Sequence, residues 1–247
     1  MNEALYAQPR FRRSGDAALT IELGDGIDAT VNARVVDLDQ ALTARALPGV
    51  VEIVPTYRTV LVCFDPTVVT RREIEAEVMA LWPPAPTGQL RHRWTVPVTY
   101  GGEYGMDLDW VAQRLDTTTD DIVARHGAAE YRVYMIGFMP GLTYLGGLDP
   151  LLHIDRRPSP RLTTPPGSVS VGGQQAAISP PIAAPSGWHM LGRTPVRSYD
   201  PRRERAPFLF GAGDLIRFRP IAAAEFAALE RAAEAGEIIA DKEELRT

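Results

Sequence analysis

The sequence predicts an α+β protein in two parts: a small α+β domain of ferredoxin-like type over residues 1–88, then a β-barrel or sandwich over 89–247 that ends in a helix. Three observations carry this. The stretch "WPPAPTGQ" at 82–89 has prolines at 83, 84 and 86 and can continue neither a helix nor a ladder. Before it, strand-like and helix-like segments run in the order strand, helix, strand, strand, helix. After about residue 130, short strands are broken repeatedly by Gly and Pro. A chain of 247 residues is long enough for two cores.

Each element has its own signal. "DAALTIEL" reads as the first strand, and Val31, Val35, Leu38 and Leu42 then recur on one helical face. "GVVEIVP" and "TVLVCFDP" are two strands around a short turn, "TYR". Thr70 and Glu73 form a capping box for a helix whose Ile74, Val78 and Leu81 share a face. A ferredoxin-like sandwich needs one more strand. "HRWTVPVTY" either supplies it or opens the second domain. "DLDWVAQRL" and "TTDDIVARHG" read as short helices with acidic or hydroxyl residues at their starts. "YRVYMI", "GSVSVGG", "QAAIS" and "DLIRFRP" read as strands, and "AAAEFAALERAAEAGE" as the helix that closes the chain.

Composition excludes several functions. Hydrophobic residues make up 45% and charged residues 23%, ordinary values for a globular chain, with no apolar run of membrane-spanning length and no targeting leader. A soluble, cytoplasmic protein is expected. The net charge of -5 argues against nucleic-acid binding, which needs a clustered positive surface. The lone cysteine, Cys63, sits in a strand and reads as structural. Lys242 in the tail is the only lysine, so a Walker A loop, a Schiff-base enzyme and a Ser-Ser-Lys amidase are all excluded from the body of the fold. No pair of histidines has the spacing of a metal site, and no metal is expected.

Three long segments share an unusual mixture of Gly, Pro, Arg and aromatic residues: "RVYMIGFMPGLTYLGGLDP", "RRPSPRLTTPPGSVSVGGQQ" and "SPPIAAPSGWHMLGRTP". Their aromatic and aliphatic content argues against disorder. Glycine permits close backbone approach, proline fixes the loop, and arginine offers a planar fork for an anion. Two readings stand: a rigid pocket for a small anion or amide, or tight barrel corners packed on a partner protein. Apolar, Pro-rich loops such as "SPPIAAPSGW" would expose an unfavourable patch in a monomer, so a hetero-oligomer is expected.

These segments, with "VPVTYGGEYGMDL" before them and "GAGDLIRFRP" after them, resemble the family of 5-oxoprolinase B subunits, also called KipI or allophanate hydrolase subunit 1. The resemblance runs from about Gly15 to Pro220. It implies a cyclophilin-like β-barrel behind the small α+β domain. It also implies one component of an ATP-dependent enzyme that opens 5-oxoproline to glutamate, with the homologous 5-oxoprolinase C subunit, which is allophanate hydrolase subunit 2-like, and the 5-oxoprolinase A subunit as partners. ATP, with Mg as its accompanying ion, would be bound by the complex. Alternative branches of the resemblance are a regulatory inhibitor of a histidine kinase and a carboxyltransferase-like component of a urea carboxylase or allophanate system. An amidase of the serine type is not implied, because Ser170 follows Ser168 rather than the glycine of a nucleophile elbow.

On the family-matching loops, Arg161, Arg193 and His189 are the candidate catalytic residues. Arginine stabilises charge on a transferring group, and His189 is the best placed of the four histidines for acid or base work. His92 lies beside the linker and His126 ends a helix where the dipole favours it, so neither needs a function, and His153 follows "LDPLL". Phe138, Pro140, Gly141, Tyr144, Arg157, Ser168, Gln175 and Trp188 are the candidate substrate-binding residues. The sequence departs from the family pattern at "QAAISP", where Ala176, Ala177 and Ser179 replace the usual threonine, glycine and tyrosine, and at Thr99, where a cysteine is common. A changed substrate preference is the consequence expected of such a wall.

Overall fold

The computed structural model describes residues 4–86 and 91–245. It divides into two compact units on either side of residues 89 and 90. The end of the proline-rich stretch, 87–89, lies outside the described residues.

The first unit contains β1 (Leu5–Arg13), β2 (Ala18–Gly24), α1 (Ala29–Arg45), β3 (Val50–Pro55), β4 (Thr59–Phe64) and α2 (Arg71–Ala80). Its strands form one antiparallel sheet in the order β1-β2-β4-β3. Period-two alternation turns Leu19, Ile21 and Leu23 of β2 and Val60, Val62 and Phe64 of β4 into the core. Val31, Val35, Leu38 and Leu42 of α1 and Ile74 and Val78 of α2 cover them. Cys63 faces the other side of β4 and is half-buried. Asp28 caps α1, and the Thr70–Glu73 capping box forms at the start of α2. The missing strand of the ferredoxin-like order is supplied from the N-terminal side. β1 takes the edge beside β2, where Pro9 and a register shift are tolerated.

"HRWTVPVTY" therefore opens the second unit as β5 (Arg91–Tyr100). There follow α3 (Leu108–Arg114), α4 (Thr119–Ala128), β6 (Tyr131–Ile136), β7 (Thr143–Gly146), a single 3-10 turn at Pro150–Leu152, β8 (Arg161–Thr164) and β9 (Ser168–Gly172). β10 (Gln175–Ile178), β11 (Ala184–Ser186), β12 (His189–Arg193), β13 (Leu215–Pro220), α5 (Ala223–Glu234) and β14 (Asp241–Leu245) complete the unit. The strands β12-β9-β10-β7-β6-β13-β5 run side by side, and a β5–β12 pairing closes them into a barrel. Val96, Val133, Leu145, Val169, Val171, Ile178, Leu191 and Ile216 fill its interior. β8 and β11 form a separate two-stranded ribbon. α5 does not close the chain as expected. β14 follows it and pairs with β5, and four of its five residues are charged, so it carries no hydrophobic strand pattern. No helix among the described residues is long and apolar enough to cross a membrane.

His126 lies in the last turn of α4 as expected, but it does not serve there as a cation. Its ring is fully buried, stacks on Phe218 at 4.6 Å and has the Tyr100 hydroxyl 2.7 Å from Nδ1. Burial pushes its pKa down from 6.5 to about 3. An unfolded chain takes up this proton below pH 6.5, whereas the folded chain refuses it until about pH 3. Stability is therefore expected to fall as pH drops below that upper value, by about 1.4 kcal/mol per pH unit. Urea unfolding midpoints between about pH 7 and pH 5 would show this, and a flat profile would contradict the buried neutral ring.

Candidate active site

A cleft of about 280 Å³ lies on the outer face of the barrel. Its floor follows from strand register. Tyr144 on β7, Ala177 on β10 and Ser170 on β9 are direct cross-strand neighbours. Because side chains alternate, Val169, Val171, Ala176 and Ile178 fill the core while Ser170, Ala177 and Ser179 face the cleft. Phe138 and Leu142, on the turn after β6, form one wall. Arg156, Arg157 and Pro160 form a second, and the segment from Pro185 to Trp188 a third.

Trp188 meets Tyr144 edge-on at 5.8 Å, and the Arg156 guanidinium lies 5.3 Å over the indole. Gly172 lets the indole sit this close, since a Cβ there would stand 2.8 Å from its Cγ. Phe138, at a positive φ of 68° and 73% exposed, stands in the wall with its ring largely in solvent.

Behind this wall lies a buried carboxylate that sequence reasoning passed over. Asp107 occupies the residue before α3, yet it caps nothing there. Its oxygens instead accept both Nη groups of Arg161 at 2.7 and 2.6 Å, Nη1 of Arg157 at 3.2 Å and the Met190 backbone N–H at 2.8 Å. Burial by itself raises the carboxyl pKa. The Arg161 hydrogen bonds, the Met190 N–H and the charges of both arginines outweigh it, so the group is held below its ordinary 3.8. One carboxylate thus balances two guanidiniums, and Arg156 adds a third cation. No Asp or Glu among the described residues lines the cleft. Its electrostatics suit a small anion.

Phe138, Tyr144, Arg157 and Trp188 all line the cleft, and Arg161 sits behind Arg157 on Asp107. The others lie elsewhere. Pro140 and Gly141 belong to the turn after β6, where Gly141 packs against Tyr199. The Ser168 hydroxyl donates to the Pro165 carbonyl at 2.6 Å, and Gln175 is buried on β10. Arg193 lies in a different cleft of about 160 Å³, its Nε donating to the Pro166 carbonyl and Nη2 standing 3.6 Å from Glu230.

His189 is buried beneath Trp110 at 4.7 Å beside a wider groove that His153 also lines. Its Nε2 lies 2.9 Å from the Asp155 carbonyl, and burial lowers its pKa, so the ring is neutral and donates there. His92 stands 3.5 Å from Asp214. No group of three metal-binding side chains occurs among the described residues.

Asp107, Arg156, Ser170, Ser179 and Ser186 are the cleft and support residues that sequence reasoning did not select. Asp107 read as a helix start and Ser170 as a failed nucleophile elbow. Ser179 and Ala177 were visible as departures from the family pattern, and both stand in the cleft wall.

A closed barrel preceded by an α+β unit is the architecture of a carboxyltransferase-type domain. The model of the carboxyltransferase domain, subdomain C and D, matches residues 9–210, and the chain belongs to that family. Within it, the chain is 31% identical over 224 residues to the 5-oxoprolinase B subunit of Bacillus subtilis (strain 168), covering 85% of this chain and 91% of that protein. It is 35% identical over 208 residues to the 5-oxoprolinase B subunit of Escherichia coli O157:H7, covering 83% and 93%. A conserved uncharacterized protein from Pyrococcus horikoshii is 35% identical with a TM-score of 0.52, over 88% of this chain and all of that one. The Kluyveromyces lactis urea carboxylase shares the fold, with a TM-score of 0.81 at 19% identity, over 99% of this chain and 25% of that enzyme. The chain also spans 40% of a longer solved chain that it matches at 33% identity and a TM-score of 0.74.

Proposed function

We propose that this chain is the lactam-binding B subunit of an ATP-dependent 5-oxoprolinase, active in complex with a homologous C subunit and with an A subunit. The observation that carries the reading is the cleft itself: two arginines, no carboxylate among the described residues, two packed aromatics and several hydroxyls around a volume fit for one small ring acid. The kinship with 5-oxoprolinase B subunits supports it. Exposed Leu162 on β8, Ile182 before β11 and Phe138 offer apolar surface for a partner protein.

In this reading Arg156 and Arg157 hold the carboxylate of 5-oxoproline, a charge-assisted contact that Asp107 keeps in place. Tyr144 and Trp188 pack on the ring and exclude water from it. Opening the lactam adds water across its C–N bond, an uphill step unless the amide oxygen is activated. ATP supplies that activation, ending as ADP and phosphate with a second water consumed. The cleft lining does not suit a magnesium nucleotide, because no carboxylate among the described residues lines it to share a divalent ion. The phosphate donor therefore belongs to another part of the complex.

The test is to reconstitute the chain with its C and A partners and follow ADP and glutamate with and without 5-oxoproline. Glutamate is expected in step with ADP. Arg157→Ala is expected to lower kcat/KM by about 10- to 100-fold, chiefly through KM, as loss of a charged hydrogen bond to substrate implies. An intact, folded complex that releases no glutamate would overturn the reading.

A further inference from the structure

Two serine hydroxyls on the cleft floor are left without protein partners. Ser170 and Ser179 are each 4% exposed and line the cleft, and neither makes a hydrogen bond to another described residue through its side chain. Three other buried hydroxyls of this unit donate within the protein: Thr143 to the Gly141 carbonyl, Thr164 to the Ala184 carbonyl and Ser168 to the Pro165 carbonyl. Ser198 also lacks a partner, but its oxygen is sealed from solvent, whereas those of Ser170 and Ser179 are not. Hydroxyls that open onto the cleft and make no protein hydrogen bond hold only water until a ligand replaces it, so the pair is free to bind one.

Their placement defines what the ligand must offer. Ser170 is the direct cross-strand neighbour of Ala177, and Ser179 lies two residues further along the same chain segment, just past the end of β10 and on the same face. The two serines are thus a diagonal pair, with backbones roughly 7–8 Å apart. The Ala177 methyl stands beside both, opposite Ser170 and next along the same face from Ser179. That separation is the reach of one amide group with a hydrogen bond at each side. A hydroxyl both donates and accepts, so the pair can serve the carbonyl oxygen and the N–H of the same amide.

We propose that Ser170 and Ser179 read the amide edge of the substrate while Arg156 and Arg157 hold its carboxylate. The ligand class is a small carboxylic acid bearing an amide with a free N–H, either a lactam or a ureido acid. This rests on the cleft being the substrate site.

Calorimetric titration of the full chain tests it with three probes: 5-oxoproline, N-carbamoylglycine and cyclopentanecarboxylate, the last being a ring acid without an amide. The wild type is expected to prefer the amide acids by about tenfold or more. The Ser170→Ala/Ser179→Ala double variant is expected to lose that preference, to bind cyclopentanecarboxylate unchanged, and to melt no earlier, since no protein hydrogen bond is removed. A double variant that binds amide acids like the wild type, or loses all three probes equally, would overturn the proposal. So would a wild type that does not prefer amides. If N-carbamoylglycine behaves as expected but 5-oxoproline does not bind, the lactam reading falls and the serine pair stands. If 5-oxoproline binds equally to wild type and double variant, the reverse holds.

Discussion

Asp107→Asn is expected to lower the unfolding free energy of the barrel unit by about 3 kcal/mol and to weaken carboxylate binding in the cleft at least about tenfold. The carboxylate is buried and accepts four hydrogen bonds, three from arginines and one from the Met190 N–H of β12. Asparagine has the same shape but carries no charge, and it places an NH2 group where a guanidinium now donates. Arg157 and Arg161 are each partly open to solvent, so they can turn outward rather than stay buried and unpaired. The loss is therefore set at the low end of the range for a broken buried pair.

Binding falls because Arg157 loses the anchor that aims it. The pH dependence gives a second check. The Asp107 pKa is depressed in the folded state, so its contribution is complete above the ordinary value of 3.8 and is lost only as pH falls through the lower folded value. The gap between variant and wild type should stay constant from neutral pH to about pH 5. Urea unfolding and calorimetric titration measure both effects. Equal stability of the two proteins would mean that the arginine cluster is a surface feature rather than the support of the cleft.

Gly192→Ala is expected to destabilise the barrel by about 3 kcal/mol or more, because it forces apart the seam that closes it. Gly192 on β12 pairs with Tyr100 of β5 on one side and Val169 of β9 on the other. A Cβ there would stand 2.5 Å from the Thr99 carbonyl oxygen and 2.9 Å from a Val98 methyl. Neither neighbour is the free end of a flexible chain. Gly127→Ala is the control. It lies inside α4 with nothing nearer than 3.6 Å, so it should be neutral or gain up to about 1 kcal/mol of helix propensity. Thermal melting of the two variants side by side decides the matter, and similar midpoints would show that the seam yields.

Elements with a strong hydrophobic period were legible: α1, α2, β2, β4 and the inward residues of β6, β9 and β10. Those held by pairing alone were not. β1 contains Pro9 and several charged or polar residues, and β14 is nearly all charge. Each became a strand because a neighbour offered an unpaired edge, and no residue-by-residue pattern records that.

The site shows the same division. Phe138, Tyr144, Arg157 and Trp188 could be selected from loop composition, because aromatic and arginine residues in Gly- and Pro-rich segments already mark a rigid, anion-binding wall. Arg193 shares that composition yet lies in another cleft, and His189 is turned under Trp110. Composition carries no direction in space.

By itself, then, the sequence determined the kinds of residue available: arginine with a single tail lysine, small hydroxyls between core valines, and glycine where backbones must touch. Tertiary structure alone decided which of them meet. Barrel closure brings Asp107 to Met190, 83 residues away in sequence, and with it the two arginines that one carboxylate must share. Strand register sets Ser170 beside Ala177 and leaves two hydroxyls facing an open cleft. The reason is physical: local pattern sets which face of a strand is apolar, while long-range pairing sets what the other face confronts.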